Sequence, residues 1–193
     1  MARTKDFDET EVLDKAICLF WHKGYNGTSM QDLVDGLGIS RSSLYDTYGD
    51  KHSLFVKALE RYQQAGAKRM YEVVNKAASA REAISQLLEL ITADLVNDKQ
   101  HKGCFVVNAE VEVAPHDVDV SNIICKNEQM IESLFVQAIQ RGQQTGEIDS
   151  KKDVRALARF IVNTVKGIRV SAKTITDRSF FDDIIGTTVS VLD

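Results

Sequence analysis

Proline, cysteine and long apolar runs are what this sequence has least of. Its single proline, Pro115, leaves 3.6-residue hydrophobic periodicity unbroken over long stretches, which predicts an all-α chain. Its three cysteines lie far apart and form no CxxC pair, so we expect no disulfide framework and a reducing compartment. No apolar run approaches the roughly 20 residues that span a bilayer, and the charged N-terminus lacks a signal-peptide core. These absences predict a cytoplasmic protein with no membrane partner.

Positive charge is also in deficit. The net charge is −4, and the first 51 residues carry six basic and nine acidic side chains. Nucleic-acid-binding domains are usually basic, so any contact with DNA must depend on a local surface of hydroxyl groups, backbone N–H groups and helix N-termini. Five of the nine acidic residues crowd between Asp6 and Asp14, where they favour the start of a first helix. If the chain binds DNA at all, its non-specific binding should therefore be weak, with a shallow salt dependence.

Catalytic and metal-binding patterns are missing as well. The histidines are scattered, and the one pair at helical spacing, His101 and Cys104, has no second ligand pair nearby. We find no Ser-His-Asp set, no paired carboxylates and no phosphate-binding loop, so we predict no catalytic residues, no metal and no cofactor. A helical enzyme stays an alternative, with Asn108, Glu110 and Glu112 as its candidate polar groups.

Apolar residues at helical spacing divide the chain into a series of predicted helices. The apolar segment 103–113 has a VxVxV pattern typical of a strand, but nothing is available to pair with it. We therefore predict a buried helix that ends before Pro115. The other predicted helices outside the central motif span 8–23, 50–76, 79–97, 117–141 and 150–174, followed by a last helix capped by Asp177.

Two short amphipathic segments between Thr28 and Lys51 are joined by a glycine-bearing turn. Thr28 and Gln31 have the spacing of a capping box, in which a hydroxyl and an amide satisfy each other's backbone donors. Gly38 permits a sharp turn, and Ser40 is a good N-cap for the second segment. The inward-facing positions are Met30, Leu33, Val34 and Leu37 in the first segment, and Leu44 and Tyr48 in the second. Such a pair of short helices is typical of a helix-turn-helix.

The outer positions of the second segment are polar and carry no negative charge apart from Asp46. They are Arg41, Ser42, Ser43, Tyr45 and Thr47. Small hydroxyls, a guanidinium and a phenol suit base edges and phosphates better than they suit a core. The same pattern also fits a helical hairpin whose polar face is only solvated, or a helical adaptor that binds protein alone.

The run from Phe7 to Phe55 resembles the N-terminal DNA-binding domain of the TetR family of bacterial transcriptional repressors. The matching residues are Ala16, Phe20, Gly24, Tyr25, Thr28, Ser29, Met30, Asp32, Leu33, Gly38, Ser40, Leu44, Tyr45, Tyr48, Lys51 and Leu54. The resemblance implies a three-helix helix-turn-helix domain over 1–52 and a helical ligand-sensing and dimerisation domain over 53–193. It implies a ligand-responsive repressor that binds a palindromic double-stranded DNA operator as a homodimer, with a small-molecule inducer of unknown identity.

The DNA contacts follow from this resemblance and from the chemistry of the side chains. We expect Arg41 to read a guanine edge. The residues expected to fix the register on phosphates are Thr28, Gln31, Ser42, Ser43, Tyr45, Tyr48 and Lys51. Asp46 either accepts a hydrogen bond from a cytosine amine or points away from the DNA. Arg3 and Lys5 belong either to a frayed terminus or to an arm that enters the minor groove.

In the resembling family a short helix after a Gly-Cys pair, here Gly103 and Cys104, often lines the ligand cavity. The expected ligand-binding residues are Cys104, Phe105, Asn108, Met130, Phe135, Asn163 and Lys166. Cys104 also offers an alternative function, a thiol sensor of oxidants or electrophiles, because a helix N-terminus and a nearby lysine favour a thiolate. Otherwise Cys104 is a small buried apolar residue.

The last two predicted helices hold more apolar positions than one buried stripe needs. Small residues such as Gly167 and Gly186 would allow a second chain to approach closely. Two copies of this helix pair would form a four-helix interface, and a monomeric bundle is the alternative that the resemblance disfavours. The expected interface residues are Val154, Ala158, Ile161, Val165, Phe181, Ile184, Ile185 and Thr188.

Overall fold

The computed structural model describes residues 7–193, which form nine α-helices, a short 3₁₀ helix (Ala114–His116) and no strand. In chain order the helices are α1 (Glu9–Lys23), α2 (Met30–Leu37), α3 (Arg41–Tyr48), α4 (Lys51–Lys76), α5 (Ala80–Val96), α6 (Phe105–Glu112), α7 (Val118–Gln144), α8 (Val154–Ser171) and α9 (Arg178–Ser190). The all-α prediction is confirmed, including the helix that ends before Pro115. The arm that contains Arg3 and Lys5 lies outside the described residues. A helix with the length and apolar character to span a bilayer is absent from the described part.

Aspartate and serine side chains set where these helices begin. Every α-helix of residues 7–193 except α6 starts after an aspartate or serine whose side chain accepts a backbone N–H of the first turn. Such a cap contributes about 1 kcal/mol to the stability of a helix. The predicted capping box of α2 is displaced by one residue. Ser29 Oγ accepts the N–H of Asp32 at 3.1 Å, and the Ser29 N–H donates to Asp32 Oδ2 at 2.8 Å, so the pair Thr28 and Gln31 is wrong.

The turn between α2 and α3 depends on Gly38. Its backbone is left-handed, with φ of 69° and ψ of 26°, and its N–H donates to the Val34 carbonyl at 3.2 Å. Glycine adopts this conformation without a steric penalty, so α2 can end abruptly and α3 can begin at Ser40. Leu33 and Leu44, one from each helix, are fully buried and pack within the unit formed by α1, α2, α3 and the first half of α4, which we call the head.

The apolar side chains form two buried clusters. The first, which we call the head core, joins α1, α2, α3 and the first half of α4, and contains Phe20 and Phe55. Phe105 of α6 and Val120 of α7 also belong to the head core. The second cluster, which we call the body core, joins the end of α4 to α5, α7, α8 and α9. Helix α4 contributes to both cores. It therefore connects the head to the rest of the protein, which we call the body, through a continuous helix of 26 residues.

The residues predicted to join two chains lie inside one protomer. Six of them are at most 4% exposed, namely the body-core residues Ala158, Ile161, Val165, Phe181 and Ile185, and the buried Thr188. The other two, Val154 and Ile184, are half-buried against the same core. Helices α5 and α7 of the same chain cover these faces, so the prediction is wrong for the six buried residues. For the half-buried Val154 and Ile184, contact with a second chain stays a prediction.

Candidate DNA-binding surface and ligand cavity

The outward face of α3 carries side chains that the fold does not use. Arg41, Tyr45 and Asp46 are exposed and Thr47 is half-buried, with Tyr45 showing 44% of its surface. None of these four side chains forms a hydrogen bond or an ion pair with another residue between 7 and 193. Leu44 on the opposite face is fully buried, so the helix is fixed with its polar face outward. This face is free to meet another molecule.

The serines at the start of α3 form a compact hydroxyl cluster. Ser40 Oγ accepts the backbone N–H of Ser43 at 3.1 Å and lies 2.9 Å from the hydroxyl oxygens of both Ser42 and Ser43. The N–H groups of the first turn of α3 are at the same place. Backbone N–H groups and hydroxyls at a helix N-terminus suit a phosphate oxygen.

Two residues predicted to contact phosphates are buried instead. Thr28 has no exposed surface, and its hydroxyl donates to the Gly24 carbonyl at 2.6 Å. Tyr48 is 4% exposed, and its hydroxyl lies 3.5 Å from the carbonyl of Glu9. Burial, together with the charge of Glu9, raises the pKa of Tyr48 to about 12. The predicted role is wrong for both side chains, because they hold parts of the head together and do not face solvent.

Gln31 and Lys51 are accessible but already have partners. The exposed Gln31 amide donates to Asp35 Oδ1 at 2.8 Å. The half-buried Lys51 ammonium lies 4.4 Å from the ring centre of Tyr25. Burial lowers the pKa of Lys51, although the charge of Glu112 acts in the opposite direction. Both residues are in the first turn of a helix of the head, and their contact with phosphates stays a prediction.

A cavity of about 520 Å³ lies between the head and the body, which is within the usual range for small-molecule sites. Its apolar lining consists of Trp21 from α1, Tyr62 and Met70 from α4, and Leu90, Ile91 and Leu95 from α5. Its charged lining consists of Arg69, Asp94, Asp98, Lys102 and Arg169. Its remaining lining residues are Ala65, Gly66, Gly103 and Cys104.

Aromatic rings arrange the part of this cavity nearest the head. The rings of Trp21 and Tyr62 meet edge to face, with centres 5.1 Å apart, and the Lys102 ammonium lies 4.8 Å from the Trp21 ring centre. The Tyr62 hydroxyl donates to Cys104 Sγ at 3.9 Å, and burial raises the pKa of this tyrosine. Because Trp21 belongs to α1, the head itself supplies one wall of the cavity.

Of the seven predicted ligand-binding residues, only Cys104 lines this cavity. Phe105 and Phe135 are 1% and 0% exposed in the head core and the body core respectively. The prediction is wrong for these two phenylalanines, because protein encloses both rings. Met130 is half-buried on α7 and does not line the cavity.

The other three predicted ligand-binding residues lie elsewhere. Asn108 donates to the Lys102 carbonyl at 2.9 Å, accepts from Lys173 Nζ at 3.1 Å and lines a separate cleft beside α1. Lys166 pairs with the carboxylates of Glu110 and Glu128, and together with Asn163 it lines a groove between α7 and α8. Their assignment to the same ligand site as Cys104 is therefore wrong.

The sequence did not reveal the residues that form most of the cavity. Trp21 and Tyr62 occupy helical positions that predict a packed core, and the periodicity of a helix does not distinguish a cavity wall from a core. Arg169 carried no signal at all, since a single arginine on an amphipathic helix is usually solvated.

One group in the described part of the chain has the composition of a metal site. His52 Nε2 lies 2.8 Å from Asp117 Oδ2, and the possible ligand atoms of His52, Asp117 and Asp119 all lie within 4.8 Å of one another. Asp117 also caps α7 by accepting the Val120 N–H at 3.0 Å. His52 is far from Asp117 and Asp119 in the sequence, and Asp119 is exposed, so the spacing of residues did not predict this group. Their geometry is explained by a hydrogen bond between α4 and the start of α7.

A three-helix head with an exposed polar α3 defines a helix-turn-helix DNA-binding protein. Residues 12–58 match the family described as "Bacterial regulatory proteins, tetR family", and residues 80–187 match "Tetracyclin repressor-like, C-terminal domain". The second match covers more than half of the chain. This chain therefore belongs to the TetR family and is a DNA-binding transcriptional regulator, which confirms the resemblance found in its sequence.

Relatives and solved structures agree with this assignment. The chain is 34% identical over 194 residues to the HTH-type transcriptional regulator YezE of Bacillus subtilis (strain 168), covering all of both chains. It is 31% identical over 188 residues to the HTH-type transcriptional repressor ComR of Escherichia coli (strain K12), covering 97% of this chain and 90% of ComR. A cysteine mutant of the TetR family regulator CifR, solved in complex with 26-bp operator DNA, superposes with a TM-score of 0.89 at 28% identity over all of both chains.

Proposed function

We propose that this chain represses transcription by binding a palindromic operator as a homodimer, and that a small molecule in the cavity releases it. Each α3 would enter the major groove of one half-site. The DNA-binding domain would end at residue 52 and the ligand-sensing domain would begin at residue 53, as the sequence predicts. Bound to chromosomal DNA of a bacterium, the protein acts in the cytoplasm. No enzymatic step is part of this function, in keeping with relatives that are transcriptional regulators.

The free polar face of α3 is the observation that carries this proposal. Arg41 and Tyr45 are exposed without a partner among residues 7–193, while Leu44 fixes the helix from behind. An arginine in this position can donate two hydrogen bonds to the O6 and N7 atoms of guanine. The serine cluster at the start of α3 and the head residue Gln31 then supply phosphate contacts.

A footprint on the DNA that flanks the gene for this chain tests the proposal, followed by fluorescence anisotropy on the protected sequence. The variant Arg41→Ala should weaken operator binding by about five- to a hundredfold, as expected for one lost base contact, with an unchanged melting temperature. The control Lys68→Ala also removes one exposed cation, on α4, and should leave operator binding unchanged. Equal affinities for the two variants, or the absence of any protected fragment at low ionic strength, would contradict the proposal.

The homodimer would use the outward faces of α8 and α9, because their inward faces are occupied by the body core. Phe160, Asn163 and Gly167 of α8 are three and four residues apart and exposed, with Phe160 showing 45% of its surface. Open space surrounds Gly167 and Gly186, so a second chain can approach the helix backbone at both. A two-fold axis at this surface would place the two heads on the two half-sites.

The ligand response would act through α6 and Trp21. Gly103 and Cys104, which lead into α6, line the cavity, and Glu112 at the other end of α6 contacts the turn between α1 and α2. A ligand that fits the cavity better when α1 and α6 are displaced would favour a conformer with wrongly spaced heads. It must bind that conformer more tightly for any release to occur.

A thiol sensor is the second candidate function, favoured by the position of Cys104. This cysteine immediately precedes α6, lines the cavity and accepts a hydrogen bond from Tyr62. An electrophile such as a maleimide would form a carbon–sulfur bond at Sγ as its carbon–carbon double bond opens. The thiol proton would pass to solvent, and the other carbon of the former double bond would take up a proton from solvent. Operator release by N-ethylmaleimide should then be abolished in Cys104→Ser and kept in Cys125→Ser, which removes an exposed cysteine. Equal release from both variants would contradict this second candidate.

A further inference from the structure

The charge balance of the cavity gives information about its ligand. Three cations line it, Arg69, Lys102 and Arg169, against the two carboxylates of Asp94 and Asp98. The lining therefore carries an excess of one positive charge. An uncompensated charge in a partly enclosed site is electrostatically unfavourable, and a ligand of opposite charge relieves it.

The excess charge can be assigned to one residue. Arg69 donates to both carboxylate oxygens of Asp94, and Lys102 lies 3.7 Å from Asp98 Oδ1. The Arg169 side chain is half-buried and forms no hydrogen bond or ion pair with any residue from 7 to 193, although its charge acts on the neighbouring Tyr62. A guanidinium has only donors and is best satisfied by the two oxygens of a carboxylate or a phosphate.

A second unsatisfied donor lies in the same lining. The indole Nε1 of Trp21 is buried and has no hydrogen-bond acceptor among the described residues. Most buried polar atoms in proteins are paired, so this indole nitrogen requires a partner from outside the chain, either water or a ligand atom. Trp21 lines both this cavity and the cleft beside α1, so its indole donor lies at the wall that the two share. In the cavity itself, the unpaired guanidinium of Arg169 selects a negatively charged acceptor.

The rest of the lining limits the body of the ligand. Trp21, Tyr62, Met70 and the leucine and isoleucine side chains of α5 form an apolar wall. Such a wall suits an aromatic ring or a short alkyl chain, and a volume of about 520 Å³ leaves room for a molecule of modest size. A free inorganic anion would leave this apolar surface uncovered.

We propose that the cavity binds a small amphipathic organic anion, with its carboxylate on Arg169 and its apolar body against Trp21, Tyr62 and Met70. This assignment rests on the proposed function, because it names the chemical class of the molecule that would release the operator. It does not depend on the thiol of Cys104, since the pairing with Arg169 is reversible and not covalent.

Trp21 provides the readout, because it is the only tryptophan of the chain and lines the cavity. The full-length protein is titrated with 4-phenylbutyrate, with the neutral 4-phenylbutyramide and with the cationic 4-phenylbutylamine, while Trp21 fluorescence and the melting temperature are recorded. Octanoate and octanamide form a second matched pair with an alkyl body. The affinity of each carboxylate should be about tenfold higher than that of the corresponding amide, or more, as expected for a charge-assisted hydrogen bond.

Variants of Arg169 test whether this residue causes the preference. Arg169→Gln should remove the preference for the carboxylate, and Arg169→Lys should keep part of it, because an ammonium retains the charge but not the paired donors. Arg155→Gln makes the same substitution on the same helix, about 21 Å away along its axis, and should leave the preference unchanged. Circular dichroism confirms that each variant is folded.

Several results would overturn the proposal. They are equal affinity for carboxylate and amide, tightest binding of the amine, a preference that survives Arg169→Gln, and the absence of a saturable fluorescence change with either carboxylate at millimolar concentration. Operator binding without any ligand is measured in parallel. If operator binding is present and the anion preference is not, only the ligand assignment fails. If operator binding is absent, the proposed function itself fails.

Discussion

Glu112, at the end of α6, accepts a hydrogen bond from the backbone N–H of Asn26, with Oε1 2.8 Å from the nitrogen. Its second oxygen accepts the N–H of Tyr25 at 3.1 Å. One carboxylate of the sensing part of the chain therefore satisfies two consecutive N–H groups in the turn that positions α2. Helix α6, which begins beside the cavity-lining Cys104, is thus joined to the head by a polar contact at its other end as well as by the shared head core.

The first prediction concerns this contact. Glu112→Gln keeps the size of the side chain but replaces one acceptor oxygen by a donor, so one backbone N–H loses its partner. We expect the free energy of unfolding to fall by about 1 kcal/mol, measured by urea denaturation followed by circular dichroism. Glu60→Gln changes an exposed carboxylate of α4 that has no partner among residues 7–193 and should have no effect. An identical denaturation midpoint for both variants would show that the Glu112 contact does not stabilise the fold.

The second prediction concerns Gly27 in the same turn. A Cβ atom at this position would lie 2.3 Å from the carbonyl oxygen of Lys23, and a backbone atom cannot move aside easily. We expect Gly27→Ala to destabilise the protein by about 1–3 kcal/mol and to weaken operator binding, because α2 must shift. Gly66→Ala is the matched control, since nothing lies within 4 Å of its added methyl group in the middle of α4. There alanine should stabilise the helix by about 0.5–1 kcal/mol. Equal melting temperatures for the two variants would show that the added methyl group at Gly27 does not clash with the Lys23 carbonyl.

The third prediction concerns the dimer surface. Gly167→Arg and Phe160→Arg each place a bulky cation on the outward face of α8, and we expect sedimentation velocity to show monomers at micromolar concentration. The control Val118→Arg changes an apolar residue of α7 that is 75% exposed, and it should sediment like the native protein. Dimers of unchanged affinity in both α8 variants would place the interface on another surface.

The fourth prediction is a pH dependence that arises from Glu147, which joins the turn after α7 to the start of α5. Its carboxylate accepts the N–H groups of Ala80 and Arg81 at 2.8 and 2.9 Å. Burial raises the pKa of Glu147, but the hydrogen bonds from Arg81, Ser79 and Ala80 outweigh it, so the pKa lies below its ordinary value of 4.5. The ionised form is thus favoured in the folded protein. Its contribution to stability is complete above the ordinary value and is lost as the pH falls through the lower folded value.

The variant Glu147→Gln removes this titration. Native protein should therefore be more stable than Glu147→Gln at about pH 6, and the difference should shrink as the pH is lowered to about 3. Urea denaturation at a series of pH values measures this difference, with Glu60→Gln as a control that removes an exposed carboxylate without such hydrogen bonds. A difference for Glu147→Gln that does not change with pH would contradict the role of the carboxylate charge.

The fifth prediction concerns Asp46, the exposed carboxylate on α3. It has no cationic partner in the described part of the chain, and it would lie close to phosphates when α3 is in the major groove. We expect Asp46→Asn to tighten binding to random duplex DNA about two- to fivefold at low salt, because one repulsive charge is removed from each head. Glu72→Gln removes an exposed carboxylate in the second half of α4 and should leave this affinity unchanged. Fluorescence anisotropy that shows no gain for Asp46→Asn would mean that Asp46 points away from the DNA.

The head shows how far local sequence rules reach. Hydrophobic spacing, the turn at Gly38 and the N-cap at Ser40 are local features, and they predicted α2, α3 and the exposure of Arg41, Ser42 and Tyr45. The cap of α2 was misplaced by one residue, because two adjacent hydroxyl residues both match the capping pattern. Only the packed structure shows that Thr28 turns inward to the Gly24 carbonyl while Ser29 forms the cap.

The sequence by itself determined the helices, the family and the polar face of α3, because each depends on residues close together along the chain. The tertiary structure decided which apolar faces meet within one protomer, since helical periodicity marks a buried face without naming its partner. It also decided the ligand cavity, whose lining extends from Trp21 to Arg169. Residues so far apart come together only when the helices pack, so their shared charge and unsatisfied donors were not visible in the sequence.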